Sequence, residues 1–220
     1  VVKRIAKIAS LVLFALLLFM CTASAQDTLV MADSFEEDVV GQPPSGWVPN
    51  AEDTATVVGQ DIVFAPDGSL AVKLLNSTEA NGEITRAVGE VKKGRLVVWF
   101  MQPKAMRDNI NIEVRSGEDR LVGVFITASG NVRIRDAGVQ SGNIKNLPND
   151  QWHEFVIEWD FDTQIFRVAH IVDGKEISIA EDAKFDPAHT GKIPDTIALN
   201  VSKREEPKEA FFDGVRVYSQ

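Results

Sequence analysis

The chain has 220 residues, of which 45% are hydrophobic, and its 23 basic and 32 acidic residues give a formal net charge of −9. A negative surface repels nucleic acid and anionic lipid at long range, so the composition argues against both as partners. The length suits one substantial core, since β-sandwiches commonly use this much chain as one domain.

The first 25 residues have the features of a secretory signal peptide. Lys3, Arg4 and Lys7 precede an apolar run over residues 8–20, and residues 23–25 (ASA) supply a small-residue cleavage site. The run is short for a membrane span. We predict a signal peptide over residues 1–25 and one domain over residues 26–220, secreted or periplasmic, with no stable membrane insertion after cleavage. The leader holds three basic and no acidic residues, so its removal changes the net charge from −9 to −12.

The only cysteine, Cys21, lies within this leader. Cleavage after Ala25 leaves no thiol for a disulfide, a nucleophile or a metal site. The alternative is a lipid anchor on Cys21, but the bulky Met20 stands where such signals need a small residue.

Beyond the leader, alternating apolar and polar residues between short polar turns predict strands. The first strand is expected over residues 28–34. Residues 41–49 contain three prolines and two glycines, which predict a rigid loop presenting Trp47 as a plug over the core or as a sugar-stacking ring. Residues 62–64 and 70–75 flank a Pro-Asp-Gly-Ser turn, which predicts a hairpin.

The middle of the chain predicts the centre of the fold. Within residues 95–101, apolar side chains would lie on both faces of a strand. This pattern is typical of a strand that is buried on both faces or whose second face forms a ligand groove. Residues 109–136 then read as a three-stranded meander with one polar face. Residues 151–175 predict two further strands and an Asp-Gly turn, and residues 210–218 a closing strand. A dozen or so short strands predict an all-β, two-sheet antiparallel sandwich of the jelly-roll kind.

Three segments carry a family resemblance. DSFEEDVVGQPPSGW (33–47), QWHEFVIEWDFDTQIFRVAHIVDGK (151–175) and FFDGVRVYS (211–219) resemble the concanavalin A-like lectin/glucanase superfamily, in particular its laminin-G-like secreted bacterial members. The resemblance implies a lectin-like β-sandwich whose last strand pairs with the first. The superfamily includes lectins, glycanases, lyases and adhesion modules, so it leaves the function open.

The polar face of the meander gives the first candidate site. Asn111, Arg115, Arg133 and Arg135 alternate with apolar residues and predict a strip rich in guanidinium and amide groups. Guanidinium groups pair bidentately with carboxylate or sulfate, so a glycan, in particular an acidic polysaccharide, is the expected ligand. The alternative is a solvated sheet face held by neighbouring acids.

Two catalytic alternatives follow from the resemblance. Arg115, Gln151, His153 and Tyr218 occur in the order of the charge-neutralising Arg and Gln, the base His and the catalytic Tyr of alginate-type lyases, although Asn111 replaces an arginine of that pattern. Glu158, Asp160 and Asp162 resemble the carboxylate strand of retaining glucanases, but a turn rich in aspartate explains them equally.

Acidic residues near the two ends predict a structural calcium site. Asp33, Glu36 and Glu37 lie near the first strand and Asp213 on the last, so pairing of these strands would bring hard oxygen ligands together. Solvated acids are the alternative. The sequence thus predicts a secreted, non-catalytic carbohydrate-binding or surface-interaction module, with a polysaccharide-degrading enzyme as the alternative.

Overall fold

The computed structural model describes residues 27–220, so the predicted signal peptide and Cys21 lie outside the described residues. This part of the chain is built of strands and one 3-10 turn at Pro187–His189. The strands are β1 (Thr28–Asp33), β2 (Val48–Pro49), β3 (Ala55–Val58), β4 (Ala71–Leu75), β5 (Gly82–Ala87), β6 (Lys93–Met101), β7 (Ile110–Ser116), β8 (Asp119–Ile126), β9 (Asn131–Asp136), β10 (Val139–Gln140), β11 (Lys145–Asn146), β12 (Trp152–Asp160), β13 (Ile165–Val172), β14 (Lys175–Lys184), β15 (Thr196–Val201) and β16 (Glu209–Ser219). Residues 27–220 include no helix long and apolar enough to cross a membrane.

One sheet, here called the terminal sheet, contains the first and last strands. Its order is β14-β13-β12-β6-β16-β4-β3, and β1 also pairs with β16. Every pairing is antiparallel, and β16 therefore lies between β6 on one side and β4 and β1 on the other. The predicted pairing of the final strand with the first is confirmed.

The second sheet, here called the meander sheet, has the order β10-β9-β8-β7-β15-β5-β2, with β11 also paired to β9. Strands β7, β8 and β9 are the predicted meander, and β15 joins it to β5 by antiparallel pairing on both sides. The two sheets confirm the predicted all-β antiparallel sandwich.

The main core lies between the sheets and is filled by alternate residues of each strand. The terminal sheet contributes Phe100, Phe155 and Phe212, each fully buried, and the meander sheet contributes Ile110 and Ile112 among others. Because side chains alternate along a strand, the residues between Ile110, Ile112 and Val114 face outward.

The structure corrects one predicted hairpin. Residues 62–64 form no strand, and β3 (Ala55–Val58) pairs with β4 instead. The intervening chain turns at once, since the backbone amide of Ile62 donates to the carbonyl of Gly59 at 3.0 Å. Val63 then packs against Ala71 and Phe211 of the terminal sheet. Trp47 is 5% exposed and its indole nitrogen donates to Asp33 at 2.9 Å, which fits the plug and not the stacking ring.

Candidate functional site

A polar groove of about 370 Å³ crosses the outer face of the meander sheet. Its floor is made by consecutive strands, because Glu83 of β5 lies opposite Asn200 of β15, which lies opposite Asn111 of β7. The groove is lined by Asn81, Glu83, Asn111, Glu113, Arg115, Glu118, Asp119, Arg120, His189 and Asn200. Every lining side chain can donate or accept a hydrogen bond, so the groove suits a ligand rich in polar groups.

Small neighbours keep the middle of the groove open. Glu113 lies opposite Gly123 of β8 on one side and Ala198 of β15 on the other. A Cβ at Gly123 would lie 3.0 Å from the ring of Phe125 and from the side chain of Arg120, so these two side chains lean over the glycine. A larger residue at position 123 would displace them.

The floor is held by an ion-pair network centred on Arg115. Its guanidinium donates to Glu83 at 3.1 and 2.7 Å and to Glu113 at 2.7 Å. Arg120 donates to the other oxygen of Glu113 at 2.9 Å. Burial alone would lower the pKa of Arg115, but the hydrogen bonds and charges of Glu83 and Glu113 raise it. The charge of Arg115 is therefore offset by two carboxylates.

Amide side chains extend this network along the floor. The Asn111 amide donates to Asn200 and, at 3.3 Å, to the hydroxyl of Ser202. The Asn200 amide in turn donates to Glu83 at 3.2 Å. Side chains that fix one another in this way lose little freedom when a ligand arrives, so the floor is preorganised for binding.

An aromatic ring and a histidine flank the polar floor. Phe125 lies between Asn111 of β7 and Arg133 of β9, and the guanidinium carbon of Arg120 is 5.2 Å from the ring centroid. Nδ1 of His189, which lines the groove, lies 3.2 Å from Asp119, and Asp119 also pairs with Lys192. The hydrogen bond from Lys192, followed by the charges of Lys192 and His189, holds the pKa of Asp119 below its usual value.

The groove contains only two of the four residues of the predicted arginine strip. Asn111 and Arg115 line the groove, whereas Arg133 lies beyond Phe125 and donates to the side chain of Asn143 at 2.8 Å. Arg135 donates to the carbonyl of Gly138 at 2.7 Å, on the hairpin that follows. Sequence reasoning missed Glu83, Asn200 and Arg120, because strand pairing between distant segments brings them together.

The lyase-like residues do not meet. Arg115 faces outward from the meander sheet, Tyr218 packs on the outer face of the terminal sheet, and His153 points into the sandwich beside Phe155. Gln151 precedes β12 and is exposed. The alternation of β12 explains this, since a residue two positions from a core phenylalanine shares its face.

His153 belongs to a buried cluster of bases. Its ring centroid is 5.3 Å from that of His170, whose Nδ1 lies 2.9 Å from the Lys145 ammonium. His153 Nε2 lies 2.9 Å from the carbonyl of Pro148. Burial, then the charges of Lys145 and His153, lowers the pKa of His170 to about 4, and burial also lowers the pKa of His153.

Two of the glucanase-like carboxylates, Glu158 and Asp160, form ion pairs on the terminal sheet. Glu158 pairs with Arg95 at 2.5 Å and Arg167 at 2.9 Å on the outer face of the terminal sheet. Asp160 pairs with Lys93 and accepts the backbone amide of Asp162, which caps the turn.

The predicted calcium ligands have separate partners. Asp33 pairs with Arg86, and Glu36 accepts the backbone amides of Ser69 and Leu70, each at 2.6 Å. Asp213 is fully buried and accepts the backbone amides of Asp67 and Gly214. Among residues 27–220 no three histidine, cysteine, aspartate or glutamate side chains are grouped to hold a metal ion. Each of these three carboxylates is thus engaged by protein donors, and the calcium site stays a prediction.

No protein-family model and no curated protein matches the chain. Among solved structures, it is similar to a sialidase (TM-score 0.62, 12% identity), covering 80% of this chain and 17% of the sialidase. It is similar to a cellulose induced protein (TM-score 0.59, 13% identity), covering 86% of this chain and 97% of that one. It is also similar to a Bacillus licheniformis β-glucanase (TM-score 0.54, 12% identity), covering 90% and 99% respectively. At these identities the similarity establishes the fold alone, a two-sheet antiparallel β-sandwich of the jelly-roll kind.

Proposed function

We propose that the protein is a carbohydrate-binding module that holds a neutral glycan in the groove on the meander sheet. The observation that carries the proposal is the groove itself, which has a wholly polar lining and a hydrogen-bonded floor. Sugar hydroxyls donate and accept hydrogen bonds, and the carboxylate, amide and guanidinium groups present both partners in fixed positions. The names of the structurally similar proteins, a β-glucanase and a cellulose induced protein, are in keeping with a glycan ligand.

The charge balance of the groove favours neutral over acidic sugars. Arg115 and Arg120 are the lining cations besides the histidine, and both pair with glutamates. Glu118 and Asp119 add two further carboxylates at the rim. A uronate placed here would meet more carboxylates than free guanidinium groups, which disfavours its binding.

The proposal is tested by titrating the protein with neutral and acidic oligosaccharides while recording calorimetry and amide NMR shifts. We expect neutral β-glucan or cello-oligosaccharides to shift the amides of β5, β7 and β15. Replacing Phe125 by Ala should weaken binding about tenfold, because a ring beside the polar floor can stack on a sugar face.

Ile177→Ala is the matched control, since Ile177 is 47% exposed on β14 of the other sheet. It should leave affinity unchanged. The proposal is wrong if no oligosaccharide in the panel shifts these amides, or if both variants bind as the wild type does.

A second candidate function is glycoside hydrolysis in the same groove. Oxygens of Glu83 and Glu113 lie 2.7 and 2.6 Å from the same nitrogen of Arg115. The two oxygens are therefore no more than about 5 Å apart, close enough for the nucleophile and acid/base pair of a retaining glycosidase. Both carboxylates are held in ion pairs with Arg115, so neither is free to contact a glycosidic oxygen. This engagement is the reason we place binding first.

Reducing-sugar release from glucans, with uronate polymers assayed for the unsaturated lyase product, separates the two functions. Binding without product formation supports the module. Product formation that Glu83→Gln abolishes, with glycan affinity retained, would establish the hydrolase instead.

We further propose that the protein acts outside the cytoplasm, secreted or periplasmic. Support comes from the basic, apolar and small-residue segments of residues 1–25. Mass spectrometry of the exported protein should find an N-terminus at Gln26. An acylated Cys21 would establish a lipid anchor in place of free secretion.

A further inference from the structure

A second cavity, here called the loop cleft, lies at one end of the sandwich and has a volume of about 870 Å³. It is formed where the chain leaves β15 toward β16 and where it passes from β6 to β7. The cleft is more than twice as large as the groove and falls within the size range of small-molecule sites.

Hydrogen bonds between loops hold the walls of the cleft. The side chain of Asn76 donates to the carbonyl of Ser202 and accepts the backbone amide of Lys208 at 2.6 Å. The side chain of Asn81 accepts the backbone amide of Lys203 at 2.7 Å. The segment from 202 to 208 is thus fixed at both ends, so a ligand meets a preformed cavity.

A buried carboxylate orients one arginine within the cleft. Asp108 is 3% exposed, and Nε of Arg204 donates to its two oxygens at 3.0 and 2.8 Å. The Arg204 side chain as a whole is 54% exposed. Within residues 27–220 its two terminal nitrogens make no hydrogen bond, so they remain available as a planar fork for a carboxylate or sulfate.

Three more cationic side chains line the loop cleft together with Arg204. Arg107 and Lys203 line the cleft and form no ion pair within residues 27–220. Lys208 pairs with Glu206 at 2.9 Å, but the Glu206 side chain is 79% exposed, and such pairs are weak in water. Glu205 is a further, exposed carboxylate. With Asp108 engaged by Arg204, cations are in excess where a ligand would enter.

We propose that the loop cleft binds the carboxylate or sulfate group of an acidic oligosaccharide, with Arg204 as the bidentate contact and Arg107 and Lys203 as supporting charges. Here the acidic glycan predicted from the sequence finds free cations, whereas the arginines of the groove are neutralised. The inference rests on the cleft alone and stands whether or not the groove binds a glycan.

The test is calorimetry with an oligouronate, a sulfated oligosaccharide and inorganic sulfate at about 20 mM and 300 mM salt. We expect the acidic oligosaccharides to bind at low salt and to lose roughly tenfold in affinity at high salt. The double variant Arg107→Ala/Lys203→Ala should weaken binding at least about tenfold. It keeps the pairing of Arg204 with Asp108, so it should fold normally.

Lys175→Ala/Lys184→Ala is the matched control, because it removes two charges from β14 of the terminal sheet. Phe125→Ala is a second control that alters only the groove. Both should leave the affinity for acidic oligosaccharides unchanged. The proposal is overturned if no acidic oligosaccharide binds at low salt, if the cleft variant binds as well as the controls, or if inorganic sulfate binds as tightly as the oligosaccharides, which would show an adventitious ion only.

Discussion

The outer faces of the two sheets carry similar arginine-glutamate networks. One network covers the surface of its sheet, whereas the other forms the floor of a groove. On the terminal sheet, Arg95 and Arg167 each pair with both Glu158 and Glu176. This network covers an apolar patch, since Val97, Val156 and Ala169 beneath it are 7%, 1% and 0% exposed although they point outward. There the charged side chains close the surface.

On the meander sheet the charged residues lie at the bottom of an opening. Glu113 is 2% exposed, and its cross-strand neighbours are Gly123 and Ala198, which have almost no side chain to fill the space above the sheet. The size of the neighbouring residues therefore decides whether a charged network becomes a cover or the floor of a groove.

The largest expected effect separates the two networks by stability. Glu113→Gln removes the buried carboxylate that Arg115 and Arg120 share, leaving Arg115 only Glu83, and should cost about 3 kcal/mol of unfolding free energy. Glu158→Gln breaks pairs in which the glutamate side chain is 25% exposed and should cost less than about 1 kcal/mol. Urea denaturation at neutral pH measures both. Equal losses of unfolding free energy in the two variants would contradict the distinction between the groove floor and the network that covers the terminal sheet.

A smaller effect concerns pH and the inner face of the terminal sheet. The pKa of His170 is lowered to about 4 by burial and by Lys145 and His153. The unfolded chain therefore binds the proton first, and the stability that neutral His170 contributes above about pH 6.5 is lost as the pH falls toward 4. We expect a loss of about 2 kcal/mol over this range. Denaturation curves at successive pH values, with His170→Gln as the variant lacking the titration, measure it.

Asp213 changes the unfolding free energy with pH in the opposite direction, so the experiment must separate its effect from that of His170. Burial raises the pKa of Asp213 to about 7, against an ordinary value of 3.8. Its contribution is present below pH 3.8 and is lost as the pH rises through 7. Asp213→Asn removes this slope. If His170→Gln has the same pH profile as the wild type, the assignment to His170 is wrong.

The smallest expected effect concerns calcium. Because Asp33, Glu36 and Asp213 are occupied by separate donors, we expect added calcium to change the melting temperature by less than about 1 °C relative to a chelator. A larger rise that Asp213→Ala removes would support the calcium site predicted from the sequence.

The strand pattern was predictable because alternation is a local property. Residues 109–136 and 151–175 read correctly as strands, since alternate residues of their strands, such as Ile112 and Phe155, lie in the core. The hairpin at residues 62–64 was wrong because turn residues at 66–69 indicate where the chain bends and not which segment pairs with β4.

Only those residues of the groove that alternate along one strand could be predicted from the sequence. Asn111 and Arg115 alternate visibly along one strand, but Glu83 and Asn200 join them only through the order β5-β15-β7. No local pattern encodes that order. Nor does it reveal that Arg115 is neutralised, since this depends on carboxylates from β5 and β7 meeting at one guanidinium.

The position of β16 has a consequence for how the chain acquires its structure. This strand follows every other described strand, yet it lies between β6 and the pair β1 and β4. During synthesis, β1 and β4 leave the ribosome long before β16 exists. Strand β4 can pair with β3, but β1 and the other edge of β4 have no partner until residues 209–219 emerge. Closure over such long sequence separations makes folding slow and leaves strand edges exposed to other chains meanwhile.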